Sequence, residues 1–222
     1  MSALPAAVYN LPAMPAPHAP VQTTRLTLRP FELGDLDDLL AYMSRPDTVR
    51  YLYAGVKDRA GAQELLARWM AGSSMSQAGE RLVLAVTPQG GRRVMGEVML
   101  MWRSQEHQQA ELGYVLHPDF QGQGYAYEAA AAMLGLGFKE YNFHRIYARC
   151  DARNTASYKL MQRLGMRREA HFIHNEMVKG EWSDELQYAI LQPEWAALAA
   201  ARKYDTPILG LKPRATRPHA KK

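Results

Sequence analysis

The stretch that most constrains this chain runs from residue 109 to 141. A strand-like run, 109–117, closes at Pro118, and the turn Gln121-Gly122-Gln123-Gly124-Tyr125-Ala126 follows. The chain then enters an apolar segment, 125–141, with Ala126, Ala130, Leu134 and Phe138 in one i,i+4 row, the spacing of a helix. A helix start carries backbone N–H groups without intrahelical acceptors and a partial positive charge, so it attracts phosphate. Glycines let such a ligand approach the backbone closely. For the hexapeptide alone, a phosphate cradle and an ordinary glycine-rich turn both stay open. It is neither a P-loop, since no Gly-Lys-Ser/Thr follows, nor the GxGxxG dinucleotide pattern.

Around this junction the patterns are mixed, without an internal repeat. Residues 25–31 read as a first strand stopped by Pro30. Asp35 and Asp58 are candidate caps for helices carrying Leu36, Leu39, Leu40 and Met43, and Leu65, Leu66, Trp69 and Met70, the second ending near Gly72. Runs 81–87 and 92–103 flank Pro88-Gln89-Gly90-Gly91, a hairpin signal. Beyond the central helix, 144–151 reads as a strand and 154–164 as a helix ended by Gly165. Runs 168–177 and 182–191 form a hairpin across Lys179-Gly180, and Pro193 starts a last helix, 194–201. The sum is an α+β domain, an antiparallel meander feeding a strand–helix–strand–helix unit and then a hairpin.

Charge is unevenly placed. Residues 202–222 hold seven Lys and Arg against Asp205, which leaves 1–201 at about −1 although the whole chain is +5. The basic character is that of a tail, not of a nucleic-acid face. Residues 1–24 contain no Lys, Arg, Asp or Glu and carry Pro5, Pro12, Pro15, Pro17 and Pro20, a proline-stiffened arm rather than a secretory signal. The expected organisation is an arm (1–23), a domain (24–201) and a basic tail (202–222). No uncharged apolar run reaches the ~18 residues of a membrane span, and the single Cys150 excludes an internal disulfide framework. Neither a membrane partner nor a metal is expected, and the expected location is the cytoplasm.

Further motifs follow in order: Glu111-Leu112-Gly113-Tyr114-Val115-Leu116-His117-Pro118 before the turn, then Asn154-Thr155-Ala156-Ser157 and Leu160-Met161-Gln162-Arg163-Leu164-Gly165-Met166. Gly180-Glu181-Trp182-Ser183-Asp184-Glu185-Leu186 and Pro193-Glu194-Trp195 close the series, and Thr24-Arg25-Leu26-Thr27-Leu28-Arg29-Pro30 opens it. This ordered set resembles the GNAT superfamily of acetyl-CoA-dependent N-acetyltransferases, and within it the ribosomal-protein-alanine acetyltransferase branch. The resemblance implies a mostly antiparallel central sheet flanked by helices, with a splayed strand for acetyl-CoA. It implies that Gln121, Gly122, Gln123, Gly124, Tyr125, Ala126 and Tyr127 hold the coenzyme A pyrophosphate. It further implies that the backbone of Tyr114, Val115 and Leu116 pairs with the pantetheine amides, and that Asn154 contacts the cofactor arm.

Attack on a thioester needs a neutral amine, and therefore a base. Three acids are candidates. Glu97 lies in 94–101, where every other residue is apolar or glycine. Glu111 starts the strand before the turn, near Glu97 if the hairpin brings them together. Glu176 lies eleven residues after Gly165, a spacing that resembles the base position of the ribosomal branch. Glu111 and Glu176 are placed ahead of Glu97. Many superfamily members carry a tyrosine seven residues after the helix asparagine to protonate the departing thiolate; here that position is Met161. Ser157 matches the hydroxyl used by the ribosomal branch, whereas Tyr158, one residue on, is rotated about 100° around the helix.

His171 and His174, three apart in a strand, are expected on opposite faces and not as metal ligands. Cys150 reads as an inert core thiol. Trp182 fits either the acceptor pocket or hairpin packing. The expected reaction is acetyl transfer from acetyl-CoA to a primary amine, a protein N-terminus such as that of a ribosomal protein, or a small-molecule amine. A non-catalytic acyl-CoA-sensing or protein-binding module is the alternative. Nucleic acid is expected only as a weak partner of the basic tail, and a homodimer stays open.

Overall fold

Eight strands make one sheet in the order β1-β2-β3-β4-β5-β6-β8-β7. The structure, a computed structural model, describes residues 20–71 and 73–201. In chain order come β1 (Val21–Gln22), β2 (Leu26–Arg29), α1 (Leu36–Met43), the single-turn α2 (Pro46–Val49) and α3 (Arg59–Ala71). Then follow β3 (Arg81–Pro88), β4 (Gly96–Ser104), β5 (Gln109–Leu116), α4 (Tyr125–Lys139), β6 (Arg145–Asp151), α5 (Thr155–Arg163), β7 (Arg167–Val178), β8 (Glu181–Leu191) and α6 (Gln192–Ala200). The α+β reading with a mostly antiparallel sheet flanked by helices holds.

Every neighbouring pair is antiparallel except β5–β6, which α4 links as a parallel crossover. That pairing lasts only three residue pairs, Gln109↔Arg145, Ala110↔Ile146 and Glu111↔Tyr147. Past Glu111 the two strands part while β5 stays paired to β4 through Leu116 and β6 stays paired to β8 through Asp151. Tyr114 and Val115 thus have an unpaired strand edge facing the fork.

Alternation along β4 and β5 assigns the two faces. Val98, Leu100, Trp102, Ala110, Leu112 and Leu116 pack with α4 in the main core, whereas Met99 and Val115 pack against the α1–α3 layer of Leu39, Tyr42, Met43, Leu66 and Trp69. Gly113 lies on that second face, and a Cβ there would fall 2.6 Å from the Met99 methyl. The glycine therefore makes room for Met99.

Several expectations are corrected. The sheet begins at Val21, inside the stretch assigned to the arm: Val21 is buried and pairs with Leu28. The buried Thr23 hydroxyl donates to Glu128 of α4 (2.6 Å). Residues 1–19 and the basic tail, 202–222, lie outside the described residues, as does Gly72. Asp58 caps α3 as expected, accepting from the Gly61 N–H (2.8 Å). Asp35 precedes α1, but its carboxylate is taken by Arg29 (2.7 and 2.8 Å) and by the Glu32 N–H (2.8 Å). A register shift between Phe172 and Glu176 interrupts β7, and Asp184 meets the His171 ring (Nε2, 3.3 Å) and the His174 backbone N–H (2.9 Å).

Candidate active site

The fork between β5 and β6 opens into a cleft of about 880 Å³, open mouth included. Tyr114, Val115, Asn154 and Ser157 line it, with Glu111, Arg149, Glu176 and Glu185. All three residues given a catalytic role from the sequence, Glu111, Glu176 and Ser157, therefore share one space. Glu97 does not line it. It pairs with Val115 while Glu111 pairs with Met101, so the two acids sit four strand residues apart, about 13 Å, and not side by side.

The acids are organised by one arginine that the sequence reading passed over. Arg149, on β6, donates to Glu111 (3.2 Å), Glu185 (3.0 Å) and Glu176 (3.5 Å). Glu111 also accepts from both Nε (2.7 Å) and Nη2 of Arg103. Burial pushes the Glu185 carboxyl upward, opposed by Arg149 and by the Tyr53 hydroxyl 3.1 Å away, and reinforced by Glu176 and Glu111. Glu176 has the longest ion-pair contact of the three, is also reached by the Tyr53 hydroxyl, and is the most exposed, at 37% against 11% and 7% for Glu111 and Glu185. The cross-strand pair Asp151↔Glu185 places Glu185 at the cleft, a relation set by pairing between β6 and β8, 34 residues apart in sequence.

Glu97 has a different environment. It accepts a 2.5 Å hydrogen bond from the buried Tyr42 hydroxyl, and burial pushes its pKa up to about 8, with the Tyr42 bond acting the other way. Among the described residues no guanidinium pairs with it.

On α5, the Asn154 side-chain oxygen accepts from the Ser157 N–H (3.1 Å), the usual satisfaction of a first-turn amide, which leaves the Asn154 amide NH₂ for other partners. Tyr114 Oη lies 3.0 Å from Ser157 Oγ and donates to the Ser157 carbonyl at 3.1 Å. Tyr158 packs against the main core, and Met161 lines the cleft floor. Cys150 lines the cleft as well, its thiol pushed up to about 11 by burial, which keeps it protonated and unreactive. Trp182 is 57% exposed, lies outside the cleft lining and sits opposite Met177 in the β7–β8 hairpin.

At the glycine turn, Gly122 (φ +74°) and Gly124 (φ +84°) adopt left-handed conformations that disfavour a side chain. Gln121 folds back to donate to the Leu116 carbonyl (3.0 Å) and Gln123 to the Asp119 carbonyl (3.1 Å). The Leu116 oxygen therefore already accepts one bond at the end of the open strand edge. The turn is braced by a residue the sequence reading left unassigned. Arg25 donates to the Gln123 carbonyl (3.0 Å), covers the Tyr125 ring at 4.6 Å and pairs with Glu128 (2.7 Å). Burial raises the Glu128 carboxyl, but Thr23 and Arg25 outweigh it and the net shift is downward. Ala126 and Tyr127 continue into α4 partly packed on the core, and Arg163 lies 5.0 Å over the Tyr127 ring.

A glycine turn opening a helix beside a forked sheet edge, with hydroxyl and carboxylate groups deeper in the fork, is the arrangement of an acetyl-transferring enzyme. The comparison with known families makes that specific: the acetyltransferase (GNAT) domain matches residues 25–167, and the chain belongs to this family. It is 34% identical over 175 residues to the uncharacterized N-acetyltransferase YnaD of Bacillus subtilis, covering 79% of this chain and 98% of that one. A GNAT-family acetyltransferase of Bacillus anthracis has the same fold, with a TM-score of 0.71, 34% identity, and coverage of 78% of this chain and 99% of that one. Likeness to the [ribosomal protein uS5]-alanine N-acetyltransferase of Escherichia coli is partial: 31% over 84 residues, 38% of this chain and 43% of that one. Among the described residues no helix is long and apolar enough to cross a membrane.

Proposed function

We propose that the chain moves the acetyl group of acetyl-CoA to a primary amine, with Glu176 as the base and Ser157 as the hydroxyl facing the departing sulfur. The observation that carries this reading is the presence of both groups in the single cleft where β5 and β6 part. The unpaired edge at Tyr114 and Val115 and the two left-handed glycines of the turn fit the amide arm and pyrophosphate of coenzyme A. When bound, acetyl-CoA supplies an activated acyl carbon on a thioester.

Each residue then has a defined task. Glu176, lightly held by Arg149, accepts the proton that the acceptor nitrogen loses as the C–N bond forms. The C–S bond breaks with its electron pair on sulfur, and the Ser157 O–H stabilises that charge by hydrogen bonding. The Glu111 carboxylate, with contacts to both Arg103 and Arg149, anchors Arg149 rather than taking the proton. Glu111, Asp151, Glu176, Asp184 and Glu185 line the cleft with one arginine, a field that draws in ammonium groups. A protein N-terminus such as that of a ribosomal protein and a small-molecule amine both meet this requirement.

Coenzyme A release measured across a panel of N-terminal peptides and small amines tests the reading. Amine-dependent turnover is expected, with Glu176→Gln lowering kcat by about 10²-fold. Acetyl-CoA binding without turnover on any amine would favour the sensing module instead. A Glu176→Gln protein of normal kcat would move the base elsewhere.

A further inference from the structure

Position 161, a methionine, has no proton to offer, and the structure shows what stands near Ser157 instead. Tyr114 projects from β5 so that its Oη sits 3.0 Å from Ser157 Oγ and 3.1 Å from the Ser157 carbonyl oxygen. The contact joins the two sides of the fork, since Tyr114 belongs to β5 and Ser157 to the first turn of α5. We infer that Tyr114 is a positioning residue, holding the Ser157 hydroxyl so that its proton points at the sulfur of coenzyme A. This rests on the reading that Ser157 faces that sulfur.

The argument is one of counting donors. A phenol has one proton, and a serine hydroxyl has one proton and two lone pairs. When Tyr114 donates to the Ser157 carbonyl, its own oxygen is free to accept the serine proton, and Ser157 then points away from the cleft. When Tyr114 donates to Ser157 Oγ, the serine proton has to look elsewhere, and a negative sulfur in the fork is its best acceptor. Charge on the sulfur selects the second arrangement, and the two aligned bonds polarise one another. No proton leaves Tyr114. Burial raises its phenol well above the ordinary range, so a tyrosinate would be costly and hydrogen bonding alone is the role.

The sequence places this tyrosine in a strand and suggests only a backbone contact for it. The fold adds the side-chain contact by bringing α5 across the open end of the fork. Cys150 also lies beside Ser157, its thiol within reach of the serine hydroxyl, and Asp151 follows it on the same strand.

The test reads the ionisation of bound coenzyme A directly, apart from turnover. Thiolate absorbance is followed against pH with and without coenzyme A in proteins that all carry Cys150→Ala, so that bound coenzyme A supplies the only thiol. A hydrogen-bonded thiolate ionises more easily, so Tyr114→Phe is expected to lower the acid ionisation constant of the bound thiol about tenfold, and Ser157→Ala at least as much. Tyr114→Phe should lower kcat about tenfold with KM for acetyl-CoA little changed, and should add nothing to Ser157→Ala in the double variant. Desulfo-coenzyme A, which lacks the thiol, should bind all four proteins alike. If Ser157→Ala shifts the thiol and Tyr114→Phe does not, the positioning role fails and the Ser157 reading survives. If Ser157→Ala leaves both thiol and kcat unchanged, the Ser157 reading itself fails. Additive losses in the double variant would mean that Tyr114 acts independently of the serine.

Discussion

Glu97 and Glu111 hang from adjacent strands on one face of the sheet, are 7% and 9% exposed, and reach opposite solutions. Glu97, beneath α1, meets one phenol, Tyr42, and burial lifts it to about 8, so at neutral pH it is mostly an uncharged acid. Glu111, at the mouth of the fork, meets Arg103 and Arg149 and serves as the carboxylate of an ion-pair network. Burial alone therefore does not decide what a carboxyl does. What decides it is whether a guanidinium reaches it, and the reach of Arg149, 38 positions along the chain from Glu111, is set by the parallel pairing of β5 with β6.

The contrast is open to attack, and the heaviest blow is Arg149→Met. It leaves Glu111, Glu176 and Glu185 facing one another without their common partner, and should lower stability by about 3 kcal/mol at pH 7.5 in urea unfolding. The loss should shrink at pH 5, where unpaired carboxylates can take up protons; an equal loss at both pH values would show that packing, not charge, is at stake. Tyr42→Phe is the matching cut at the other end. It removes the phenol that bonds a mostly neutral acid, and about 1–2 kcal/mol at pH 6 is expected from the same denaturation series. A loss as large as that of Arg149→Met would erase the difference between the two sites.

Smallest at acid pH is Glu97→Gln, and its pH profile sharpens the comparison. In the unfolded chain this carboxyl releases its proton near pH 4, in the folded protein near pH 8. Between those values the unfolded state binds fewer protons, so the Glu97 contribution to stability falls as pH rises and levels off above about 8. Glutamine carries no such proton. The variant and parent should agree within about 0.5 kcal/mol at pH 5 and separate toward pH 8.5, with the variant the more stable. Parallel profiles would mean that Glu97 ionises in the folded state as it does in water.

Much of the frame was legible locally. Proline stops, glycine turns and apolar spacing located β2 to β8 and the longer helices to within a few residues, because those signals act over one turn or one hairpin. β1 escaped because Val21 and Gln22 make too short a strand to show a period, and Pro20 masks them. The cleft was legible as a set of positions, Glu111, Ser157 and Glu176, but not as a network. Arg149, Glu185, Tyr53 and the Tyr114 hydroxyl enter through cross-strand register and through the placing of α5, neither of which a local pattern encodes. The expected closeness of Glu97 and Glu111 failed for the same reason, since only the register of β4 on β5 sets their separation.

The short parallel seam also has a mechanical meaning. Five strands lie on one side of it and three on the other, and at the seam itself only Gln109, Ala110 and Glu111 are laced to their partners. A hydrogen-bonded sheet is stiff where rungs are continuous, so this joint works as a pin with two arms, β5 laced to β4 and β6 laced to β8, that are unpaired with each other beyond it. Leverage grows with distance from the pin, and a rung added far up the fork resists spreading more than one added beside Glu111. Anything lying along Tyr114 and Val115 therefore braces the arms near their tips, and its presence should be felt as rigidity at Leu116 and Asp151 while the pin at 109–111 hardly registers it.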